Sequence, residues 1–334
     1  MQISINGVTL YKMNPNFVKM LHVKDHLSAM LQQQSNVAYG CSIVDYLDLV
    51  SSSDSHSCDL TKNAQNRIAD QDAFDESWRE KICEWLYDVI DHLRYDREIV
   101  AITLNYVDRY LSSYSKDSQR SINARLLQLL AVSALHIVLK INYSRVNHVP
   151  ILLEFSRNLF SSKDIIAMER SILKSLDWKL SPPTSVAFLN LYIPFLAKGR
   201  QCLYLKHHEI IGETAQFLVE LSVCDYYFVR KNREPSSIAL ASLLYAIYLV
   251  FSRSPAECKM VTNILLNNIQ THIGIKYCDE TKRCKVRLEE IYGASDRCHK
   301  WTNSPCSVGT LRLTTEGEKS EEKKEEYSST VLVP

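Results

Sequence analysis

The stretch Asn123-Ala-Arg-Leu-Leu-Gln-Leu-Leu-Ala-Val-Ser-Ala-Leu-His-Ile-Val-Leu-Lys-Ile141 predicts a helix that is apolar on nearly every side. Only Gln128, Ser133 and His136 interrupt its apolar middle. The run is too short and too interrupted to span a bilayer, which needs about 20 apolar residues. We therefore expect other helices to surround it. Lys140 stands where the apolar run ends, so we expect its charge at the rim of the resulting core.

The composition of the 334-residue chain is typical of a soluble globular protein, and its length favours two domains of about 150 residues each. The 39 Lys and Arg residues nearly balance the 38 Asp and Glu residues. No global charge excess therefore points to nucleic acid or to a strongly basic substrate. Eight glycines are few for a Rossmann, P-loop or barrel enzyme, because the turns of those folds use this residue.

The ten cysteines stand singly, without a Cys-x-x-Cys pair, and Lys12 and Lys19 interrupt any apolar N-terminal run. We expect no signal peptide and reduced thiols, which predicts a location in the nucleus, the cytoplasm or both. One C-terminal cluster holds potential zinc ligands: Cys278, Cys284, Cys298, His299 and Cys306. Its spacings fit no standard zinc pattern, so no metal and no cofactor is predicted.

Helical periodicity divides the chain into two similar regions between irregular ends. Residues 1–66 are weakly patterned and predict a mostly irregular N-terminal arm. Residues 67–181 predict five helices with short joints, and residues 182–293 predict five more around a second apolar helix. Mixed Glu, Lys and Ser residues predict a disordered tail over 294–334. The predicted fold class is all-α, with two tandem five-helix units and flexible extensions.

Local signals mark several boundaries of the first unit. Ser77-Trp-Arg-Glu80 has the form of a capping box, and Ser161-Ser-Lys-Asp164 is a second start signal of the same kind. Pro182-Pro183 ends the unit, because the residue before a proline is pushed out of the helical region.

Four motifs of the first unit resemble those of the cyclin family in order and spacing. They are Trp78-Arg-Glu-Lys-Ile-Cys-Glu-Trp-Leu86, Asn105-Tyr-Val-Asp-Arg-Tyr-Leu-Ser112, Leu127-Gln-Leu129 and the stretch from Met168-Glu169 to Pro183-Thr184. The five positions that define the cyclin box in that family are matched by Arg79, Asp108, Leu129, Lys140 and Glu169. The resemblance implies a cyclin box over 67–181 and a C-terminal cyclin fold over 182–293, where it rests on the helix pattern alone.

Cyclins are regulatory subunits of Ser/Thr protein kinases and catalyse no reaction themselves. The resemblance therefore implies a cell-cycle regulator that binds a cyclin-dependent kinase and favours the active position of a kinase helix. It implies that Lys140 and Glu169 bond to backbone groups of the kinase. Further kinase contacts are implied for Ile141, Lys163, Leu173, Trp178 and Leu180. Ile141 replaces the family's common Phe, and Asn142 and Tyr143 replace a frequent Glu-Glu, which bears on the choice of kinase.

The resemblance also implies a docking groove for kinase substrates or inhibitors that carry an Arg-x-Leu motif. Ile82, Trp85 and Gln128 match the groove residues of the family. Trp78 replaces the usual Met and Lys81 replaces an apolar residue. A lysine there would weaken an apolar anchor and repel the arginine of the motif, so the specificity of the groove is open.

Arg79 and Asp108 are implied to form a buried ion pair on facing helices of one core. Removing one partner of such a pair leaves an uncompensated charge. Their implied role is therefore structural.

Two other classes of function stay open at this point. A cyclin-fold transcription regulator, such as a transcriptional cyclin or a DNA-binding basal factor, would carry a basic face and usually an N-terminal zinc ribbon. Residues 1–66 contain only Cys41 and Cys58, so no ribbon is visible and no nucleic-acid partner is expected. An α-helical enzyme would need a nucleophile beside a base, for instance Cys83 with a histidine, and no local pairing supports one.

Overall fold

The computed structural model describes residues 3–5, 8–10, 15–36, 39, 76–117, 123–196 and 205–294. These parts contain twelve α-helices and one short antiparallel hairpin, so the fold is all-α as expected. The hairpin pairs β1 (Ile3–Ile5) with β2 (Val8–Leu10). The tail predicted over 294–334 lies outside the described residues except for its first residue, which ends the last helix.

The first helical unit has the five predicted helices. They are α2 (Glu76–Leu93), α3 (Glu98–Asp117), α4 (Ala124–Asn142), α5 (Val149–Phe155) and α6 (Ser162–Ser175). Ser161 forms the capping box with Asp164, whereas α2 begins one residue before Ser77, so Ser77 is not its N-cap. The central helix α4 packs against α2, α3, α5 and α6, and its residues from Leu130 to Leu139 are all buried.

By length and composition alone, α4 could cross a membrane, which the sequence analysis had excluded. It has 19 residues and a mean hydropathy of 1.6 over its most apolar window. However, 61% of that window is buried inside the protein, since other helices surround it. The high hydropathy of α4 is therefore that of a core helix.

The second unit repeats the plan around another apolar helix. Its helices are α7 (Ser185–Tyr192), α8 (Leu205–Cys224), α9 (Tyr226–Arg230), α10 (Pro235–Val250), α11 (Pro255–Ile273) and α12 (Asp279–Ala294). The five-residue α9 adds to the five predicted helices. The central helix α10 is buried without interruption from Ser236 to Ile247 and packs against α7, α8, α11 and α12.

A 20-residue helix in the N-terminal arm, α1 (Pro15–Gln34), was not predicted from the sequence. It packs against α7 and α11 of the second unit and buries Leu27 and Met30. Gln34 Oε1 accepts a hydrogen bond of 2.9 Å from the backbone nitrogen of Ser236, at the start of α10. The arm therefore contributes to the second unit. The division into domains at 66, 181 and 293 stays a prediction.

The two units meet at a buried guanidinium. Arg79 on α2 bonds to Asp108 on α3 through two hydrogen bonds, Nε to Oδ1 at 3.1 Å and Nη2 to Oδ2 at 3.0 Å. Its Nη1 also donates to the backbone carbonyls of Val223 and Cys224 at the end of α8, at 2.8 and 3.1 Å. The ion pair expected from the resemblance is thus present, and the same side chain also ties the first unit to the second.

A second charged contact lies beside this junction. Arg97, which precedes α3, donates to Glu220 of α8 at 3.0 Å, bonds to Asp91 at the end of α2, and stacks over the Tyr87 ring at 4.3 Å. Arg97 and Glu220 have low exposure, so the contact is largely withdrawn from water. The interface between the units is therefore held by charge-assisted hydrogen bonds as well as by apolar packing.

Candidate functional site

Lys140 and Glu169 lie in contact at the rim of the first core. Lys140 is in the last turn of α4, where a cation interacts favourably with the helix dipole. Its Nζ donates to Glu169 Oε1 on α6 at 2.6 Å. The Lys140 side chain is 60% exposed, whereas that of Glu169 is only 10% exposed. A lysine has three donor hydrogens, so this single bond leaves two for an incoming acceptor.

His136 is a member of this cluster that the sequence analysis did not assign to it. It stands one helical turn before Lys140 on α4, and its Nδ1 lies 3.2 Å from Glu169 Oε2, without hydrogen-bond geometry. Burial lowers the pKa of His136 from its ordinary value, against the opposing effect of the Glu169 carboxylate. The ring is therefore neutral at neutral pH, and the Glu169 charge is offset by Lys140. The i, i+4 spacing from Lys140 was the available signal.

We expect the stability of the protein to fall as pH drops below about 6.5, partly because of His136. The unfolded chain takes up a proton near the ordinary histidine pKa of 6.5, while the folded protein takes it up only at lower pH. More protons then bind the unfolded state, so the free energy of unfolding decreases with falling pH. Urea unfolding at about pH 7.5 and about pH 5.5 measures this change, and His136→Gln should reduce it.

Burial also lowers the pKa of His148, and His136 adds to that shift, so part of the loss on acidification should remain in the His136→Gln variant. A loss of stability on acidification that is equal in wild type and His136→Gln would contradict the prediction.

The apolar residues predicted for the same surface differ in exposure. Ile141 is 47% and Trp178 is 70% exposed, so both offer apolar surface to a partner. Leu173 is buried and Leu180 is half-buried, and both pack in the core. Lys163 is exposed in the first turn of α6. The shared kinase-binding role of these residues stays a prediction.

Trp178 has an unusual backbone conformation. Its φ is +58°, and the preceding Asp177 has φ +49°, which is rare for residues other than glycine. The backbone nitrogen of Trp178 donates to the carbonyl of Leu173 at 3.1 Å, which closes the turn after α6. The turn fixes the backbone of this exposed tryptophan, so the backbone has little freedom to lose on binding.

Ile166 is an exposed apolar residue of α6 that the sequence analysis missed. It is 42% exposed and precedes Glu169 by three positions, so the two share one face of the helix. The spacing of Ile166, Glu169 and Leu173 was the signal that could have revealed it.

A cavity of about 300 Å³ lies between α2, α4 and the segment that follows α5, where the docking groove was predicted; the docking role stays a prediction. Ile82, Trp85 and Gln128 all line it, together with Phe155 and Phe160 from the opposite wall. The structure therefore brings the three predicted groove residues together.

The charge of this groove is positive. Lys81 lines it with its Nζ 5.1 Å from the centre of the Trp78 ring, and Arg157 lines the opposite side. No carboxylate is among the described residues of the wall. The groove thus offers an apolar floor and two cations.

No metal site is visible in the parts of the chain that the structure describes. No group of three or more His, Cys, Asp or Glu side chains is close enough there to hold an ion. Of the C-terminal cluster, Cys284 is buried and Cys278 is exposed, while Cys298, His299 and Cys306 lie outside the described residues.

Comparison with curated proteins finds cyclins as relatives of this chain. Cyclin-A1-4 of Oryza sativa subsp. japonica is 30% identical over 194 residues, which is 58% of this chain and 49% of that protein. Cyclin-A1-2 of Arabidopsis thaliana is 28% identical over 229 residues, which is 68% of this chain and 48% of that protein. The chain thus spans about half the length of the curated relatives it matches.

Two solved structures are similar to parts of this chain. A viral cyclin from herpesvirus saimiri matches 66% of this chain and 89% of its own, with 17% identity and a TM-score of 0.43. The CAK complex from Chaetomium thermophilum bound to ATP-γ-S has a chain that matches 82% of this one and 86% of its own, with 13% identity and a TM-score of 0.46.

A protein-family model matches the region of the first helical unit. Residues 48–181 match the model described as "Cyclin, N-terminal domain", and this range contains Arg79, Asp108, Lys140 and Glu169. The match begins ahead of α2 and ends where the first unit ends, at the Pro182-Pro183 break. Residues 48–181 thus match the N-terminal cyclin domain, and the curated relatives that the chain matches are cyclins.

Proposed function

We propose that this chain is a non-catalytic subunit that binds and activates a cyclin-dependent Ser/Thr protein kinase in cell-cycle control. The observation that carries the proposal is the Lys140–Glu169 pair at the rim of the first unit, with an accessible ammonium and a mostly buried carboxylate. Such a pair can donate to and accept from the backbone of a partner helix in charge-assisted bonds. It acts in the nucleus, the cytoplasm or both.

The exposed apolar residues near the pair support a protein partner. Trp178, Ile141 and Ile166 keep a large part of their surface in water in the isolated chain. Tryptophan is enriched among residues that dominate binding energy, and a large apolar side chain gains when a partner covers it. The proposed kinase would cover Trp178 while the Lys140–Glu169 pair fixes its orientation.

Activation then follows from differential affinity. A kinase must assemble a Lys–Glu ion pair on one of its helices before phosphoryl transfer proceeds. A subunit that binds the assembled arrangement better than the unassembled one shifts the population toward the active state. The chain itself supplies no catalytic group to this reaction.

The test is capture from a panel of purified cyclin-dependent kinases, followed by a phosphorylation assay. Wild type is compared with Lys140→Ala and with Lys282→Ala as a matched control. Lys282 is 56% exposed and bonds to Asp279 at 2.9 Å on α12, far along the chain from the first unit. We expect capture and activation by wild type and by Lys282→Ala, and a loss with Lys140→Ala. The proposal fails if folded wild type captures none of the kinases.

The positive charge of the groove leads to a separate prediction about its affinity for Arg-x-Leu peptides. Lys81 and the arginine of the motif are like charges, and like charges at about 4 Å repel by roughly 1 kcal/mol in water. We expect Lys81→Leu to strengthen binding of an Arg-x-Leu peptide roughly fivefold, because it removes the repulsion and adds apolar surface. Fluorescence anisotropy with a labelled peptide measures the change.

The matched control for that experiment is Lys259→Leu on α11, an exposed lysine outside the groove. Equal affinity for wild type and Lys81→Leu would show that Lys81 does not set the specificity of the groove.

A further inference from the structure

We propose that Cys83 and Cys224, which are free thiols in this structure, are a site at which an oxidant forms a disulfide bond that joins the two helical units covalently. Cys83 lies on α2 in the first unit, and Cys224 is the last residue of α8 in the second. The proposal concerns a modification site and does not depend on kinase binding.

The distance between the two sulfur atoms carries the proposal. Cys83 Sγ and Cys224 Sγ are 2.7 Å apart. This is closer than two unbonded sulfur atoms normally pack, and it approaches the bond length of about 2.05 Å. Both residues are buried, so no third group from solvent separates the thiols. A small movement of the side chains is enough to make the bond.

The surrounding contacts hold the two cysteines opposite each other. Arg79 stands one helical turn before Cys83 on α2, so both side chains face α8. The Arg79 guanidinium donates to the carbonyl of Cys224 itself and to that of Val223. Its other hydrogen bonds go to Asp108, which fixes the guanidinium from the first unit. The hydrogen bonds of Arg79 therefore hold the two thiols opposite each other.

The covalent step needs a two-electron oxidant, for which we name a peroxide. The sulfur of one cysteine attacks a peroxide oxygen, the O–O bond breaks, and a sulfenic acid forms with release of one water. The second sulfur then attacks the sulfenic sulfur, the S–O bond breaks, and the S–S bond forms. The hydroxide that leaves takes the second thiol proton as another water. Two thiols are oxidised, and one hydrogen peroxide is reduced to two waters.

The rate of this oxidation depends on how readily solvent and peroxide reach the two sulfur atoms. Burial raises the pKa of the Cys83 thiol well above its ordinary value, which keeps it protonated in the closed protein. Because the thiolate is the nucleophile, oxidation of the folded chain is slow. Oxidation during folding is faster, since solvent reaches both sulfurs before α8 docks on α2.

The experiment uses the full chain in two arms, each with hydrogen peroxide and each with dithiothreitol as the reduced reference. In one arm the folded protein is treated. In the other it is refolded from urea in the presence of the peroxide. Free thiols are then alkylated, and the protein is digested with trypsin without reduction. The expected product links peptide 82–94, which contains Cys83, to peptide 207–230, which contains Cys224.

The outcomes separate clearly. The proposal is supported if the cross-linked peptide is found in the refolding arm of wild type and of Cys258→Ser but not of Cys83→Ser. A higher midpoint of thermal unfolding in oxidised than in reduced wild type also supports it. Recovery of peptides 82–94 and 207–230 with both cysteines alkylated in the refolding arm overturns it. Because the readout is made on wild type, poor folding of a variant does not decide the result.

Discussion

Replacement of Arg79 by alanine is expected to lower the free energy of unfolding by about 3–5 kcal/mol. The change removes one member of an ion pair whose side chains are each only 4% exposed, and so leaves the Asp108 carboxylate buried without its cation. It also removes the donor to two carbonyls at the end of α8. Urea unfolding followed by circular dichroism measures the loss as a lower midpoint.

Two controls make this prediction specific. Lys282→Ala removes an exposed ion pair on α12 and is expected to cost less than about 1 kcal/mol. Arg79→Lys keeps the charge but cannot make the paired bonds of a guanidinium, so most of the loss should remain. A loss of about 1 kcal/mol or less for Arg79→Ala would mean that water reaches Asp108 and that the pair does not hold the two units together.

Replacement of Glu169 by alanine is expected to weaken kinase binding by about 2–5 kcal/mol, which is roughly thirty-fold to several thousand-fold in Kd. The prediction rests on the proposed function. Glu169 accepts from Lys140 and is nearly buried, so its removal releases the lysine from its fixed position and removes an acceptor from the interface. Isothermal titration with the kinase captured by wild type measures the affinity.

The matched control is Glu289→Ala, which removes a carboxylate bonded to Lys285 on α12. It should leave the affinity within about threefold of wild type. Thermal unfolding of Glu169→Ala is measured in parallel, since a variant that unfolds would also bind weakly. A folded Glu169→Ala with wild-type affinity would remove this pair from the interface.

The helices followed from local pattern, because apolar residues recur at short, regular spacings, whereas several site contacts followed from the resemblance to the motifs of a known family. The apolar run of α4 predicted a buried helix, and the motif positions of Lys140 and Glu169 led to a pair that is in contact. The three groove residues were also found together. In each case the sequence signal and the contact lie within a single five-helix unit.

The features that the sequence did not reveal depend on contacts between distant parts of the chain. Arg79 donates to backbone carbonyls of α8. Because every residue has a backbone carbonyl, the sequence does not show which residue accepts the bond. Cys83 and Cys224 are 141 positions apart and meet only when the units dock. α1 was missed because its apolar residues form no clear stripe, and it packs on the unit farther along the chain.

The position of Arg79 also bears on how the chain matures during synthesis. Its Nη1 reaches the carbonyls of Val223 and Cys224 only after the end of α8 has docked, and that end is residue 224. While the first unit emerges alone from the ribosome, Arg79 can bond to Asp108, whereas its Nη1 cannot yet bond to the carbonyls of Val223 and Cys224. This contact between the units therefore forms only after residue 224 has been synthesised. The two helical units, though similar in plan, are joined through this side chain only at that step.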